Sequence, residues 1–317
     1  MLRVVFMGTP DFAVPALEAI SKNHAIIAAY AQPDRPVGRG LEFRPCAVKR
    51  KALELGIQVI QPEKLSAPGE FERLSALNPD VIVVVAFGQI LRKNVLSLPR
   101  LGCLNIHSSL LPRWRGAAPI QRAILAGDPE SGVTTMRLVE KLDAGEILLQ
   151  SRTPIRADDT AGTLHDRLAA MGAELITETL AALANGTLQG RPQDESLVTY
   201  AEKLTKDMEW LDPKDPAEVL DRRIRALNPW PGTSLQIKLS GDQTARLKVK
   251  QAHPRPDIQG HAGQLYEKTG MLLLGTAAGA LELVALQWEG KKEVTASGFL
   301  NGLQGRGLKL PLEISAP

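Results

Sequence analysis

The stretch Gly102-Cys103-Leu104-Asn105-Ile106-His107-Ser108-Ser109-Leu110-Leu111-Pro112-Arg113-Trp114-Arg115-Gly116 opens with a short strand. Pro99 and Gly102 precede Cys103 to His107, and two serines and a proline follow, so turn residues bound the run at both ends. Side chains alternate along a strand, which sends Leu104 and Ile106 to one face and Asn105 and His107 to the other. Strands of parallel sheets are covered on both faces and read as unbroken apolar runs. Two polar heads on one face, at the carboxyl end, therefore mark the place where open α/β sheets hold their ligands. A single histidine there is more often structural, and a single asparagine often caps the next turn. The pair on one face, backed by the stiff Ser109-Leu110-Leu111-Pro112 turn, favours chemistry.

Upstream, Leu2 to Met7 is an apolar strand, and Gly8-Thr9-Pro10 leads into a helix with Asp11 in the N-cap position. That opening looks like a dinucleotide fold, but Gly-x-Gly-x-x-Gly is absent, and a nicotinamide site loses its main support. Ala25 to Ala31 is a second strand. Gln32 to Pro45 shows no helical or strand period, and a long loop is expected there. From Asp34 to Lys51, Arg35, Arg39, Arg44, Lys49, Arg50 and Lys51 outnumber Asp34 and Glu42. Gly38 and Gly40 free the backbone around Arg39, which suits entry into a nucleic-acid groove as well as a solvated loop. A helix over 47–56, a short strand near Val59 and a helix over 69–78 precede Val81 to Ala86, the continuous apolar run of a central parallel strand.

Downstream, a helix is expected over 117–126 and two β-rich runs over 133–139 and 146–152. The connector between them, Glu140 to Gly145, contains Asp143. By itself Asp143 is a turn aspartate. If the fold returns this connector to the end of the Cys103–His107 strand, its carboxylate is placed to orient and charge-stabilise His107. Leu164, Leu168, Met171, Leu175, Leu180 and Leu183 give a long amphipathic helix its buried stripe. The division expected is an α/β domain with a mostly parallel sheet over 1–188, an extended linker over 189–208 and a second domain over 209–317. The last contains a helix with Arg222, Arg223 and Arg225, then five short strands over 234–240, 245–252, 263–268, 271–275 and 280–288. That pattern fits a small OB-like β-barrel.

Composition narrows the class. The chain of 317 residues, 44% hydrophobic and 23% charged, is long enough for one large or two ordinary domains. No apolar run approaches a membrane span, and the apolar start is too short for a signal-peptide core. Two cysteines without metal or redox spacing suit a reducing compartment. The net charge of +3 is mild, and its surplus lies from Lys203 onward, compatible with nucleic-acid contact or a solvated surface.

Asn105-Ile106-His107, Ser109 to Gly116 and Leu142-Asp143-Ala144-Gly145 together resemble the signature of the folate-dependent formyltransferases. Gly8-Thr9-Pro10-Asp11-Phe12 and Asn228-Pro229-Trp230-Pro231-Gly232 are similar to the branch that formylates methionyl initiator tRNA, and the similarity spans nearly the whole chain. The resemblance implies a Rossmann-like catalytic domain followed by a tRNA-binding barrel. It implies transfer of formyl from 10-formyltetrahydrofolate, a co-substrate, to the α-amine of methionine on initiator tRNA, with no metal. Asn105, His107 and Asp143 would be catalytic. Phe87, Gly88, Gln89 and Ile90 would line the folate slot with Ser109, Leu110, Leu111 and Pro112. Arg39 would engage the tRNA acceptor end, and Arg113 and Arg115, flanking Trp114, suit a phosphate or that terminus. A cytoplasmic monomer is expected. The alternatives are the same chemistry on a sugar nucleotide or glycinamide ribonucleotide, and a non-catalytic tRNA-binding protein. The basic barrel and the 228–232 segment speak against a small acceptor, which needs neither.

Overall fold

A computed structural model describes residues 1–37, 42–239, 243–305 and 307–315. The chain divides into two compact units, one of Met1–Pro119, Glu130–Pro154 and His165–Ala201, the other of Ile120–Pro129, Ile155–Leu164 and Glu202–Pro317. No helix among the described residues is long and apolar enough to cross a membrane.

The first unit holds β1 (Arg3–Gly8), β2 (Ala25–Tyr30), β3 (Arg35–Val37), β4 (Glu42–Arg44), β5 (Val59–Ile60), β6 (Val81–Val85), β7 (Cys103–His107), β8 (Arg115–Gly116), β9 (Glu130–Arg137), β10 (Ile147–Pro154) and β11 (Tyr200–Ala201). Its main sheet runs in the order β10-β9-β7-β6-β1-β2-β5. The strands from β5 to β7 are parallel, and β9 and β10 close that end antiparallel. Val4 to Met7 and Val81 to Val85 are buried throughout, as central strands covered on both faces require. From β1 the chain goes to β2 on one side and later to β6 on the other. Such a reversal opens a crevice at the carboxyl ends of the strands. Gly8 lies opposite Val85 at that end, and Asn105 pairs with Val84 one strand further along.

Three expectations for this unit need correction. Gln32 to Pro45 is not all loop, because β3 and β4 pair antiparallel within it. Strands of three residues are too short to show a period. Asp11 does not cap the first helix, which starts at Val14, and instead begins a single 3-10 turn. The stretch expected as a linker is tied into this unit as far as Ala201. There β11 pairs with β8, and the Ala201 carbonyl accepts from the Ala117 amide.

The second unit holds β12 (Thr233–Lys238), β13 (Thr244–Arg255), β14 (Gln264–Lys268), β15 (Met271–Gly275), β16 (Ala280–Trp288), β17 (Val294–Thr295) and β18 (Leu312–Ser315). The order is β13-β12-β18-β14-β15-β16-β17, and β13 also pairs with β16, so the antiparallel sheet closes on itself. Leu235, Ile237, Leu247, Val249, Leu272 and Leu274 point into one core, joined by Leu220 and Ile224 of the helix Ala217–Ala226. The five expected strands are present. Closure depends on β18, inserted between β12 and β14, which leaves fewer open edges.

Candidate active site

β7 delivers its two polar side chains as alternation demands. Ile106 faces the helix Ala161–Ala184 so closely that a Cβ at Gly172 would meet it at 2.9 Å. On the other face His107 and Asn105 are 7% and 9% exposed, buried although polar. His107 Nε2 lies 2.8 Å from the Trp114 carbonyl. A carbonyl only accepts, so Nε2 carries the proton, and Nδ1 is the nitrogen turned toward Asp143, 3.9 Å from Oδ2. No hydrogen bond within the described residues involves the Asn105 side chain. The residue is largely buried, yet its amide has no protein partner and is open to donate to a bound group.

Asp143 comes to this point because its loop is held from two directions. Its Oδ2 accepts the Gly116 amide at 2.8 Å, and its own carbonyl accepts Gln193 Nε2 at 2.7 Å. The backbone is left-handed at Asp143 (φ 46°) and at Trp114 (φ 70°), the two residues facing the imidazole nitrogens. Such conformations persist only where the surroundings over-determine them. Gly145 is required here, since a Cβ would lie 1.8 Å from the Arg137 carbonyl oxygen.

The expected folate-lining residues form two turns beside the crevice. Phe87 packs in the core beneath the sheet, and its carbonyl accepts from the Thr9 hydroxyl and the Gln32 amide, both at 3.1 Å. Gln89 is spent on the turn, accepting from the Leu65 amide at 2.6 Å and donating to the Pro62 carbonyl at 3.0 Å. Gly88 and Ile90 are exposed. In the second turn the Ser109 hydroxyl donates to the Arg113 carbonyl at 2.7 Å, and Leu111 is buried against Met136 and Ile147. Leu110 and Pro112 remain half-buried. Thr134 Oγ donates to the Ser109 carbonyl at 2.6 Å and Gln150 Nε2 to the Leu111 carbonyl at 2.9 Å, fixing the turn onto β9 and β10.

Compared with known proteins, residues 2–180 match the Formyl transferase family and residues 203–304 match Formyl transferase, C-terminal domain. The chain belongs to the formyl transferase family. The methionyl-tRNA formyltransferase of Halorhodospira halophila is 50% identical to it over 303 residues, 95% of this chain and 96% of that one. The methionyl-tRNA formyltransferase of Methylococcus capsulatus is 49% identical over 310 residues, 98% and 99% of the two chains. The crystal structure of an N-formyltransferase from Helicobacter canadensis, in complex with folinic acid and dTDP-3-aminofucose, aligns with TM-score 0.65. It covers 89% of this chain and 99% of its own at 19% identity, a likeness of fold.

Within this formyl transferase the three arginines expected at the RNA part company. Arg113 is exposed, its guanidinium carbon 4.2 Å above the Trp114 ring. Arg39 lies outside the described residues. Arg115 corrects the expectation, because it is fully buried and cannot meet a phosphate. Its Nε and Nη2 donate to Gln193 Oε1 at 3.0 and 2.9 Å, and Nη2 also reaches Glu195 at 2.9 Å. Hydrogen bonds from Arg115 first, and second from Lys141 at 2.8 Å, hold the Glu195 carboxyl down at about 2. Sequence reasoning missed Gln193, which sits among Gly, Pro and charged residues that read as linker. Thr199, in the same stretch, accepts the Trp114 amide at 2.9 Å.

Proposed function

We propose that this formyl transferase moves the formyl group of 10-formyltetrahydrofolate to the α-amine of methionyl initiator tRNA, giving formylmethionyl-tRNA for translation initiation. Relatives of that name, half identical along nearly the full length, support the acceptor. The observation that carries the chemistry is the unpartnered amide of Asn105 beside an imidazole that faces a carboxylate, at the crevice end of a parallel sheet.

An α-amine titrates at about 7.7–8.0, and esterification of its carboxyl lowers that, so neutral nucleophile is plentiful without a metal ion. Attack on the formyl carbon creates an oxyanion and an ammonium together. The Asn105 amide donates to the developing oxyanion, a task for a fixed dipole already in place. His107 moves the ammonium proton through Nδ1, the ring nitrogen its bond to Trp114 leaves available. Asp143 stabilises the imidazolium that results. The proton then passes to N10 of the folate as the C–N bond breaks.

The Gly88 and Ser109–Pro112 turns form the proposed folate slot. Arg113, stacked on Trp114, and Arg39 are the proposed contacts to the acceptor end. The barrel over 209–317 is the proposed tRNA-binding domain, and the catalytic domain extends past 188 to include the segment through Ala201. The protein is proposed to act as a cytoplasmic monomer.

The test is incubation with 10-formyltetrahydrofolate and charged initiator tRNA, scoring formylmethionine, with an amino-sugar nucleotide and glycinamide ribonucleotide in parallel. Formylmethionine is expected. Transfer to a small amine with none to the tRNA overturns the assignment.

A further inference from the structure

We infer that Gln193 is a positioning residue for the transfer reaction: its amide bridges the loop bearing Asp143 to the strand bearing Gly116, and so sets the carboxylate opposite His107. The inference rests on the catalytic reading above.

Gln193 is buried in the first unit, on the extended stretch after the long helix. Its Nε2 donates to the carbonyls of Asp143 and Gly145 at 2.7 and 2.8 Å. Its Oε1 accepts both bonds from Arg115 at 3.0 and 2.9 Å. Guanidinium only donates and carbonyls only accept, so the amide has a single permitted orientation and all four bonds depend on it. Arg115 is adjacent to Gly116, whose amide holds the Asp143 carboxylate at 2.8 Å, and to Trp114, whose carbonyl holds His107 at 2.8 Å. A closed circuit results, running His107, Trp114, Arg115, Gln193, Asp143 and back to His107. Gln193 joins the Arg115 side chain to the backbone of the Asp143 loop, a second tie beside the bond from the Gly116 amide to the Asp143 carboxylate. Asp143 sits at positive φ, so without that bridge its loop relaxes toward ordinary backbone and the carboxylate moves.

Gln193→Leu removes the four bonds at nearly constant volume. A displacement near 1 Å at a reacting group costs about 10²-fold. The expected result is a kcat about 100-fold lower with KM for charged tRNA and for 10-formyltetrahydrofolate within about twofold. Gln193→Glu keeps the acceptor for Arg115 but loses the donors to 143 and 145, and is expected to show the same split. It decides the matter if Gln193→Leu does not fold. A folded variant with kcat within about threefold of wild type, or with kcat intact and KM raised, overturns the inference. A wild type that transfers no formyl fails the catalytic reading itself. An active wild type with an equally active variant fails the role of Gln193 alone.

Discussion

His107 Nε2 donates to the Trp114 carbonyl at 2.8 Å while its Nδ1 stands 3.9 Å from the Asp143 carboxylate. One nitrogen anchors the ring and the other faces a charge across a gap too long for a hydrogen bond. The imidazole is therefore oriented by the 114 turn, and Asp143 acts on it mainly through its field.

Asn105→Ala, His107→Ala and Asp143→Ala are each expected to bind charged tRNA normally and to transfer little formyl. For Asn105 the loss is on the order of 10²–10³ in kcat, the cost of removing one oxyanion donor. Steady-state kinetics beside a tRNA-binding titration check this. Any of the three retaining most of its activity removes that residue from the mechanism.

Asp143→Asn separates charge from anchoring. An asparagine oxygen still accepts the Gly116 amide, so the loop should hold its place while the field on His107 disappears. The expectation is a large drop in kcat with an unfolding midpoint close to wild type. A kcat near wild type would show that Asp143 only ties down the loop.

Arg115→Met should destabilise rather than weaken RNA binding, because Arg115 is fully buried. The loss is about 2–3 kcal/mol, the scale for charge-assisted hydrogen bonds whose remaining partner, Gln193, stays buried. Urea unfolding measures it. Arg113→Ala should do the opposite, moving the midpoint by no more than the loss of its stacking on Trp114, about 0.5–1 kcal/mol. It should weaken tRNA binding and reduce the slope of log affinity against log salt by about 1, the signature of one phosphate contact.

The Glu195 carboxyl, held at about 2 against an ordinary 4.5 by Arg115 and then Lys141, gives stability a defined pH window. Its folded value is depressed, so its contribution is complete above the ordinary value and disappears as pH falls toward about 2. Wild type should exceed Glu195→Gln in melting temperature at pH 7, and the two should converge as pH drops from 4.5 to 2. Curves that stay parallel over that range would show that the ion pair contributes nothing.

Burial pushes the Cys103 thiol up to about 12, whereas Cys46 is half-buried at the start of a helix. Brief alkylation of the native protein should label Cys46 and leave Cys103 intact until denaturant is added. Equal labelling of both, read by peptide mass, would place Cys103 elsewhere than in the sheet core.

Part of this protein is written in local pattern. Apolar continuity marked β1 and β6, and alternation placed Asn105 and His107 on one face of β7, because side-chain direction follows from backbone period alone. The five longer barrel strands were legible for the same reason, while β18 and the β3–β4 pair were too short to carry a period. Which polar groups meet is set by the packing of the chain. It brings Asp143 to His107 from 36 positions away, as their numbers show. It turns Arg115 inward to Glu195, and it makes Gln193, in a stretch that reads as linker, the tie between them. Hydrogen bonds over such separations leave no periodic trace. A buried arginine and an exposed one look identical until packing sets whether water or a carboxylate answers their charge.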